Sequence, residues 1–69
     1  MIHEVRGNFV ISSHGVWMPG SYESKRAARY AFRFRNEELK KLQDAANARV
    51  GGAGGTITLE DLKAMRRAT

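Results

Sequence analysis

Pro19 and Gly20 divide the chain into two parts whose residue patterns are typical of different secondary structures. In residues 1–18, short runs of β-branched and aromatic residues are separated by turn-forming residues, which predicts extended structure. After the pair, capping residues are followed by apolar residues three and four positions apart, which predicts helices. Proline followed by glycine also suits the two central positions of a type II turn. The chain is therefore predicted to be a small single domain that is α+β or mainly α.

The extended part is predicted to be one short N-terminal β-hairpin. Its two runs, NFVIS and GVWM, are connected by SHG. Gly15 in this connection is free to take the positive φ that a tight hairpin turn requires.

Two or three short helices with recognisable start signals are predicted to follow. Ser21 or Ser24 can cap the first helix, and Asn36 can cap the second. Thr58 can cap the last helix, with Asp61 at the reciprocal position of the capping box. The predicted helices lie near residues 21–33, 36–49 and 58–67, within helical segments 21–50 and 58–68.

Apolar residues at helical spacing identify the faces that should be buried. In the second helix these residues are Leu39, Leu42, Ala46 and Val50, and in the last helix they are Leu59, Leu62, Met65 and Ala68. Between the two helices, the run GGAGG at residues 51–55 is predicted to end the second helix and to serve as a flexible linker.

Residues 30–35 fit two kinds of secondary structure. With a period of 3.6 residues, two of the aromatic residues continue an apolar stripe that begins at Ala27. With a period of two, three aromatic residues alternate with Arg33 and Arg35, as in a half-buried strand. The alanine pair and the serine cap favour a helix through Phe32, with the last residues extended.

A chain of 69 residues buries a modest core and usually needs additional stabilisation. It has no cysteine, which excludes disulfides and thiolate metal sites. His3 and His14 lie in different segments without the clustering that metal ligands require, so no metal site is predicted. Self-association is the remaining source of stability, and we predict a homodimer.

No catalytic constellation can be assembled from the sequence. Ser13 and His14 are adjacent, but a catalytic triad is defined by a geometry that the sequence does not suggest. The run GGAGGT lacks the lysine that follows the last glycine of a Walker loop. We therefore predict that the chain is not an enzyme and needs no cofactor.

The strongest functional signal is the basic strip KRAARYAFRFRN at residues 25–36, in a chain whose net charge is +5. Part of it, Lys25, Arg29 and Arg33, has the spacing of one helix face. Such a strip can contact nucleic-acid phosphates, bind an acidic protein surface, or be a solvated face above an aromatic core. The three alternatives stay open, and the candidate contact residues are Lys25, Arg26, Arg29, Tyr30 and Arg33.

Trp17 is a further candidate contact residue. Trp17 and Met18 can both belong to the core, which a domain of this size needs. Tryptophan is also, with arginine, among the commonest anchors of protein interfaces. Glu37 and Glu38 are the acidic candidates for contact with a basic partner.

No apolar run approaches the length of a membrane span, and the N-terminal residues do not have the pattern of a signal peptide. The predicted location is the cytoplasm, with no membrane partner.

Three stretches, GVWMPGSYESKRAARYAFRF, EELKKLQDAAN and ITLEDLKAMRR, together resemble a group of small accessory proteins from transposable bacteriophages of Pseudomonas. The length and the arrangement around the glycine run are most similar to the phage anti-quorum-sensing proteins. The resemblance covers nearly the whole chain.

The resemblance implies a non-enzymatic, dimeric host-takeover protein in the host bacterial cytoplasm. It implies binding to the DNA-binding domain of a LuxR-type quorum-sensing activator, which would prevent promoter binding. It also implies inhibition of the assembly ATPase of type IV pili. From the residues alone, a small basic DNA-binding phage regulator, excisionase- or repressor-like, is the alternative.

Overall fold

The computed structural model of the chain describes residues 1–68, with side chains for residues 1–67. Its elements are, in chain order, β1 (Ile2–Val5), β2 (Asn8–Ser13), β3 (Val16–Trp17), α1 (Lys25–Ala31), α2 (Asn36–Arg49) and α3 (Leu59–Ala68). The strands form one antiparallel sheet in the order β1-β2-β3, and the three helices follow it. The α+β prediction is confirmed. The inward orientation predicted for the side chain of Ala68 lies outside the described residues.

Two tight turns of the same kind build the sheet. The first turn contains Arg6 and Gly7, with φ of 52° and 83°, and the second contains His14 and Gly15, with φ of 52° and 77°. Positive φ at both central residues is typical of the type I′ turn, whose twist matches that of the flanking strands. The predicted hairpin and the positive φ of Gly15 are confirmed. The preceding hairpin of β1 and β2 was not predicted as a separate turn.

The strand register decides which residues face the helices. Ile2 pairs with Ile11, and Ser12 pairs with Trp17. Directly opposite residues point to the same face of a sheet, and successive residues of a strand point to opposite faces. Because Ile11 is fully buried in the core, its face is covered by the helices, and the face that carries Trp17 is turned to solvent.

Tyr22 joins the sheet to the C-terminal half of the chain. Its backbone exchanges hydrogen bonds of 2.7 and 2.8 Å with Phe9 of β2, and on its other side it forms a parallel bridge with Ile57. The Tyr22 hydroxyl donates to the Pro19 carbonyl at 2.7 Å. Burial raises the pKa of this hydroxyl to about 12, so it remains a protonated donor at neutral pH.

The first helix begins after a serine cap, as predicted, and the cap is Ser24. Its hydroxyl accepts a hydrogen bond of 3.1 Å from the Ala27 N–H, which satisfies one of the free donors of the first turn. The three alanines of this helix are fully buried in the core, where their small side chains allow close packing.

Helix α1 is shorter than the predicted span, because it ends at Ala31 rather than near residue 33. Residues 32–34 form a turn, and Arg35 has an extended backbone with φ of −80° and ψ of 158°. The strand alternative for residues 30–35 is therefore wrong. The predicted cationic stack along one helix is also wrong at Arg33, which lies beyond the end of α1.

Acidic side chains stabilise the starts of the other two helices. The predicted cap Asn36 is instead the first helical residue, and Arg35 occupies the cap position, where its N–H donates to the Glu38 carboxylate at 2.9 Å. The reciprocal cap predicted for α3 is confirmed. The Asp61 N–H donates to the Thr58 hydroxyl at 3.1 Å, and the Thr58 N–H donates to the Asp61 carboxylate at 2.9 Å.

The core lies between the sheet and the helices. Its largest fully buried side chains are Tyr22, Ile11, Leu39, Ile57 and Leu62. The predicted inward orientation of Leu42 and Leu59 is confirmed, since both pack against this core. The predicted burial of Val50 is wrong, because α2 ends one residue earlier and 61% of the Val50 surface is exposed.

The last residue of the glycine run is packed against α2. Gly55 is buried, and a β-carbon at this position would lie 2.5 Å from the Asn47 backbone nitrogen. The Gln43 side-chain amide donates to the Gly55 carbonyl at 2.6 Å, and the Asn47 side-chain oxygen accepts from the Gly55 N–H at 2.9 Å. The prediction of a flexible linker is therefore wrong at Gly55, whereas residues 51–54 are exposed.

Candidate functional site

The end of α1 and the last turns of α3 bring cationic and aromatic side chains together. The Arg33 guanidinium carbon lies 4.8 Å from the centre of the Tyr30 ring, and that of Arg66 lies 6.0 Å from it. These distances are those of cation–π contacts. The rings of Tyr30 and Phe34 are 6.0 Å apart. We name this group the cationic aromatic cluster, and its members are Tyr30, Arg33, Phe34, Lys63, Arg66 and Arg67.

The pKa of Tyr30 shows that the cluster is electrostatically positive. Its hydroxyl accepts a long hydrogen bond of 3.5 Å from the Arg66 guanidinium. This hydrogen bond is the largest cause of a lowered pKa of Tyr30, and the positive charges of Arg66, Arg33 and Lys63 lower it further, while burial opposes them. The ring is therefore surrounded by positive potential.

Two adjoining cavities lie in the cluster. One, of about 430 Å³, is lined by Tyr30, Lys63, Arg66 and Arg67. The other, of about 350 Å³, is lined by Arg33, Phe34, Glu38 and Arg66. Arg66 lines both cavities, so the two adjoin, and we refer to them together as the groove. Of the residues that line the groove, four are cationic and one, Glu38, is acidic.

The sequence pattern identified two of the six members of this cluster. Tyr30 and Arg33 were candidate contact residues, whereas Lys63, Arg66 and Arg67 were considered only as parts of a helix. The spacing of 63, 66 and 67 places all three on one face of α3, which was an available signal. That this face meets Tyr30, 36 residues earlier, depends on the tertiary fold.

The remaining cationic candidates lie outside the groove. Lys25, Arg26 and Arg29 are exposed on α1 and line neither cavity. Glu37 is exposed in the first turn of α2. Glu38 lines the groove, and its carboxylate also accepts the hydrogen bond that caps α2.

Trp17 belongs to a different surface. It is 63% exposed, whereas its neighbour Met18 packs against the core. The His3 ring meets the Trp17 ring edge-on with 5.2 Å between their centres, and His3 Nε2 lies 2.8 Å from the Ser12 hydroxyl. By the strand register, these residues share the solvent-facing side of the sheet. We name it the outer sheet face and define it as His3, Val5, Asn8, Val10, Ser12 and Trp17.

The outer sheet face is uncharged apart from the ionisable His3. Within β1 to β3, no Asp, Glu, Lys or Arg occupies a position with its side chain on this face. On this face, 48% of the Val5 surface and 63% of the Trp17 surface are exposed. An exposed apolar surface of this kind contrasts with the charged helical side of the molecule.

Among the described residues, Ser13 and His14 are the adjacent pair that the sequence raised as possible catalytic groups. Ser13 and His14 contact each other at 3.1 Å in an exposed hairpin turn. Within residues 1–68, no group of three or more His, Asp or Glu side chains is placed to hold a metal ion. In the same part of the chain, no helix is both long and apolar enough to cross a membrane.

Comparison of the chain with protein-family models, with curated protein sequences and with solved structures finds no match in any of the three. The resemblance to phage anti-quorum-sensing proteins therefore stays a prediction. The fold and its surfaces define a small α+β chain with two separate exposed features, an uncharged sheet face and a cationic aromatic groove.

Proposed function

We propose that the chain is a non-enzymatic binding protein that inhibits a host protein in the bacterial cytoplasm. The observation that carries the proposal is the exposure of Trp17, 63% of whose surface stays accessible in a domain with a small core. Tryptophans that become buried at the centre of an interface typically contribute roughly 2 kcal/mol or more to binding. A solvated tryptophan on an uncharged sheet face is thus suited to be an interface anchor.

The DNA-binding domain of a LuxR-type activator is the proposed partner for this face. The resemblance to phage anti-quorum-sensing proteins supports this choice. Such a domain is basic because it binds DNA, and the present chain has a net charge of +5. Contact through the cationic groove would bring like charges together, whereas the outer sheet face adds no lysine or arginine to the interface.

A gel-shift assay tests this proposal. A LuxR-type activator is bound to its promoter DNA, and the chain is then titrated into the mixture. We expect the activator–DNA band to disappear, while the chain alone leaves the DNA unshifted at physiological salt. Trp17→Ala should weaken inhibition roughly 30-fold, which corresponds to about 2 kcal/mol.

Val50→Ala is the matched control, because Val50 is 61% exposed but lies at the end of α2. It should inhibit as well as the parent chain. An activator–DNA band that persists at saturating inhibitor would refute the proposed partner. Equal losses in the two variants would refute the role of the outer sheet face.

The assembly ATPase of type IV pili is the second proposed partner, again supported by the resemblance. An acidic surface on such a partner would complement the cationic groove rather than the outer sheet face. The two partners would then bind different sides of one small protein.

DNA binding is the alternative function, and the grouping of Arg33, Lys63, Arg66 and Arg67 favours it. Phosphate contacts make affinity fall steeply with salt, and each lost contact reduces the slope by about one. The same gel-shift assay with the chain alone, repeated across salt concentrations, distinguishes this alternative. Retarded DNA at physiological salt would favour the regulator over the inhibitor.

A further inference from the structure

Cationic side chains outnumber carboxylates among the described residues of the groove. Four of these lining residues are cationic and one, Glu38, is acidic. That carboxylate already accepts the Arg35 N–H at the start of α2. Like charges held close together repel one another, and an anion that enters the groove relieves this repulsion.

Elsewhere in the chain, Arg49 shows how a guanidinium of this protein binds a carboxylate. Arg49 donates two hydrogen bonds of 2.7 Å to the two carboxylate oxygens of Asp61. This parallel arrangement is the preferred way for a guanidinium to bind a carboxylate. The groove offers further guanidinium groups, at Arg33 and Arg67, beside the aromatic rings of Tyr30 and Phe34.

The chemistry of the groove favours a carboxylate-bearing peptide over a run of phosphates. Tyr30 and Phe34 give the walls an apolar component, which can contact an aliphatic or aromatic side chain. Glu38 would repel a nucleic-acid backbone that continued past Arg33. The two adjoining cavities instead suit a short segment that places acids in the larger one and an apolar side chain beside Phe34 in the other.

We propose that the groove, which is lined by residues of the three helices and of the turn after α1, binds an acidic peptide segment of a protein partner, in which carboxylates stand next to an apolar residue. The inference rests on the proposed function as a protein-binding inhibitor and assigns it a second binding surface. It does not involve the outer sheet face, because none of the residues that line the groove belongs to the sheet.

Fluorescence anisotropy with a labelled peptide of sequence EDFEDL tests the proposal on the full chain. Two double variants carry the same change of charge at different places. Lys63→Gln with Arg67→Gln removes one lysine and one arginine from the groove, and Lys25→Gln with Arg26→Gln removes the same pair from exposed positions on α1 outside it. Circular dichroism confirms that each variant is folded before it is titrated.

We expect the labelled peptide to bind the parent chain and to bind the groove variant at least tenfold more weakly. The α1 variant should stay within about twofold of the parent, and the amide peptide QNFQNL should not bind. Equal losses in both variants would overturn the proposal, because they would show a response to net charge alone. Absence of peptide binding at millimolar concentration would overturn it as well.

A duplex DNA of similar charge is the last comparison. Tighter binding of this DNA than of the peptide, lost in the groove variant, would show that the groove is a phosphate site and would overturn the peptide assignment. Because the peptide assay contains no activator, its failure leaves the Trp17 result in the gel-shift assay unaffected. Failure of the gel-shift assay likewise leaves the peptide result unaffected, so the two proposals are separable.

Discussion

Replacing Gly55 by alanine tests whether the end of the glycine run is part of the packed structure. A β-carbon at this position would meet the backbone carbonyl of Ala46 and would lie 2.5 Å from the Asn47 nitrogen. Both obstacles belong to the backbone of α2, so no rotation of a side chain can make room. Gly55→Ala must therefore displace residues that bear the hydrogen bonds of Gln43 and Asn47.

The size of the effect follows from this obstruction. Overpacking typically costs 1–3 kcal/mol, and a backbone obstacle places Gly55→Ala near the upper end, at about 3 kcal/mol. For a domain of this size, 1 kcal/mol changes Tm by about 4–8 °C. We expect Gly55→Ala to lower Tm by roughly 12 °C or more. Thermal and urea unfolding followed by circular dichroism at 222 nm measure the change.

Gly52→Ala is the control within the same run. Gly52 is exposed, an added β-carbon there meets nothing within 4 Å, and its φ is outside the left-handed region. Alanine should then leave stability unchanged or raise it by about 0.4–1 kcal/mol, because it restricts the unfolded chain. A Gly55→Ala variant that unfolds within about 0.5 kcal/mol of the parent would refute the packed arrangement.

Three further predictions concern acid stability, assembly and metal dependence. The hydrogen bond from Arg49 is the main reason that the pKa of Asp61 is lowered from 3.8 to about 2, so this stabilisation is present above pH 3.8 and is lost as the pH falls towards 2. At pH 7, Asp61→Asn should lower the free energy of unfolding by about 1 kcal/mol, a value that allows for solvent screening at the half-exposed Arg49. Urea unfolding at pH 7 and pH 2 measures this loss, and an equal loss at both pH values would contradict the prediction. Sedimentation equilibrium at micromolar concentration should show twice the 7.7 kDa monomer mass, since the core is small, and a purely monomeric result would count against the homodimer. Exhaustive chelation should leave the circular dichroism spectrum and the inhibition in the gel-shift assay unchanged, whereas a loss restored by one metal would contradict the prediction that no cofactor is needed.

The parts of the fold that sequence patterns predicted are those determined by neighbours in the chain. Thr58 and Asp61 are three residues apart, and their reciprocal cap depends only on local geometry. The same is true of Ser24 at the start of α1 and of the turn at Gly15. The turn at Arg6 was missed because arginine at positive φ is unusual, and its pairing with a following glycine is a weaker signal than asparagine or aspartate would give.

The parts that were not predicted depend on contacts between distant segments. Gly55 looked like a linker residue because nothing in a run of glycines indicates which one a helix will pack against. Tyr30 was a candidate, but the residues that complete its cluster lie in α3, which folds back onto α1. Trp17 could have been core or surface, and the choice was made by the strand register, which moves every side chain to the other face when it shifts by one residue.

Backbone pairing on both sides of Tyr22 links the hairpins to the segment that precedes the C-terminal helix. Its own amide is hydrogen-bonded to Phe9, and the amide of Ile57 is hydrogen-bonded to the residue before Tyr22. Opening either bond separates two segments that are far apart in the chain, so we expect both amides to be among those best protected from exchange with solvent. A single proteolytic cut in the exposed residues 51–54 would therefore release the segment that contains Ile57 from its covalent link to α2. We expect such a cut to weaken the pairing of Ile57 with Tyr22 and thereby to destabilise the sheet.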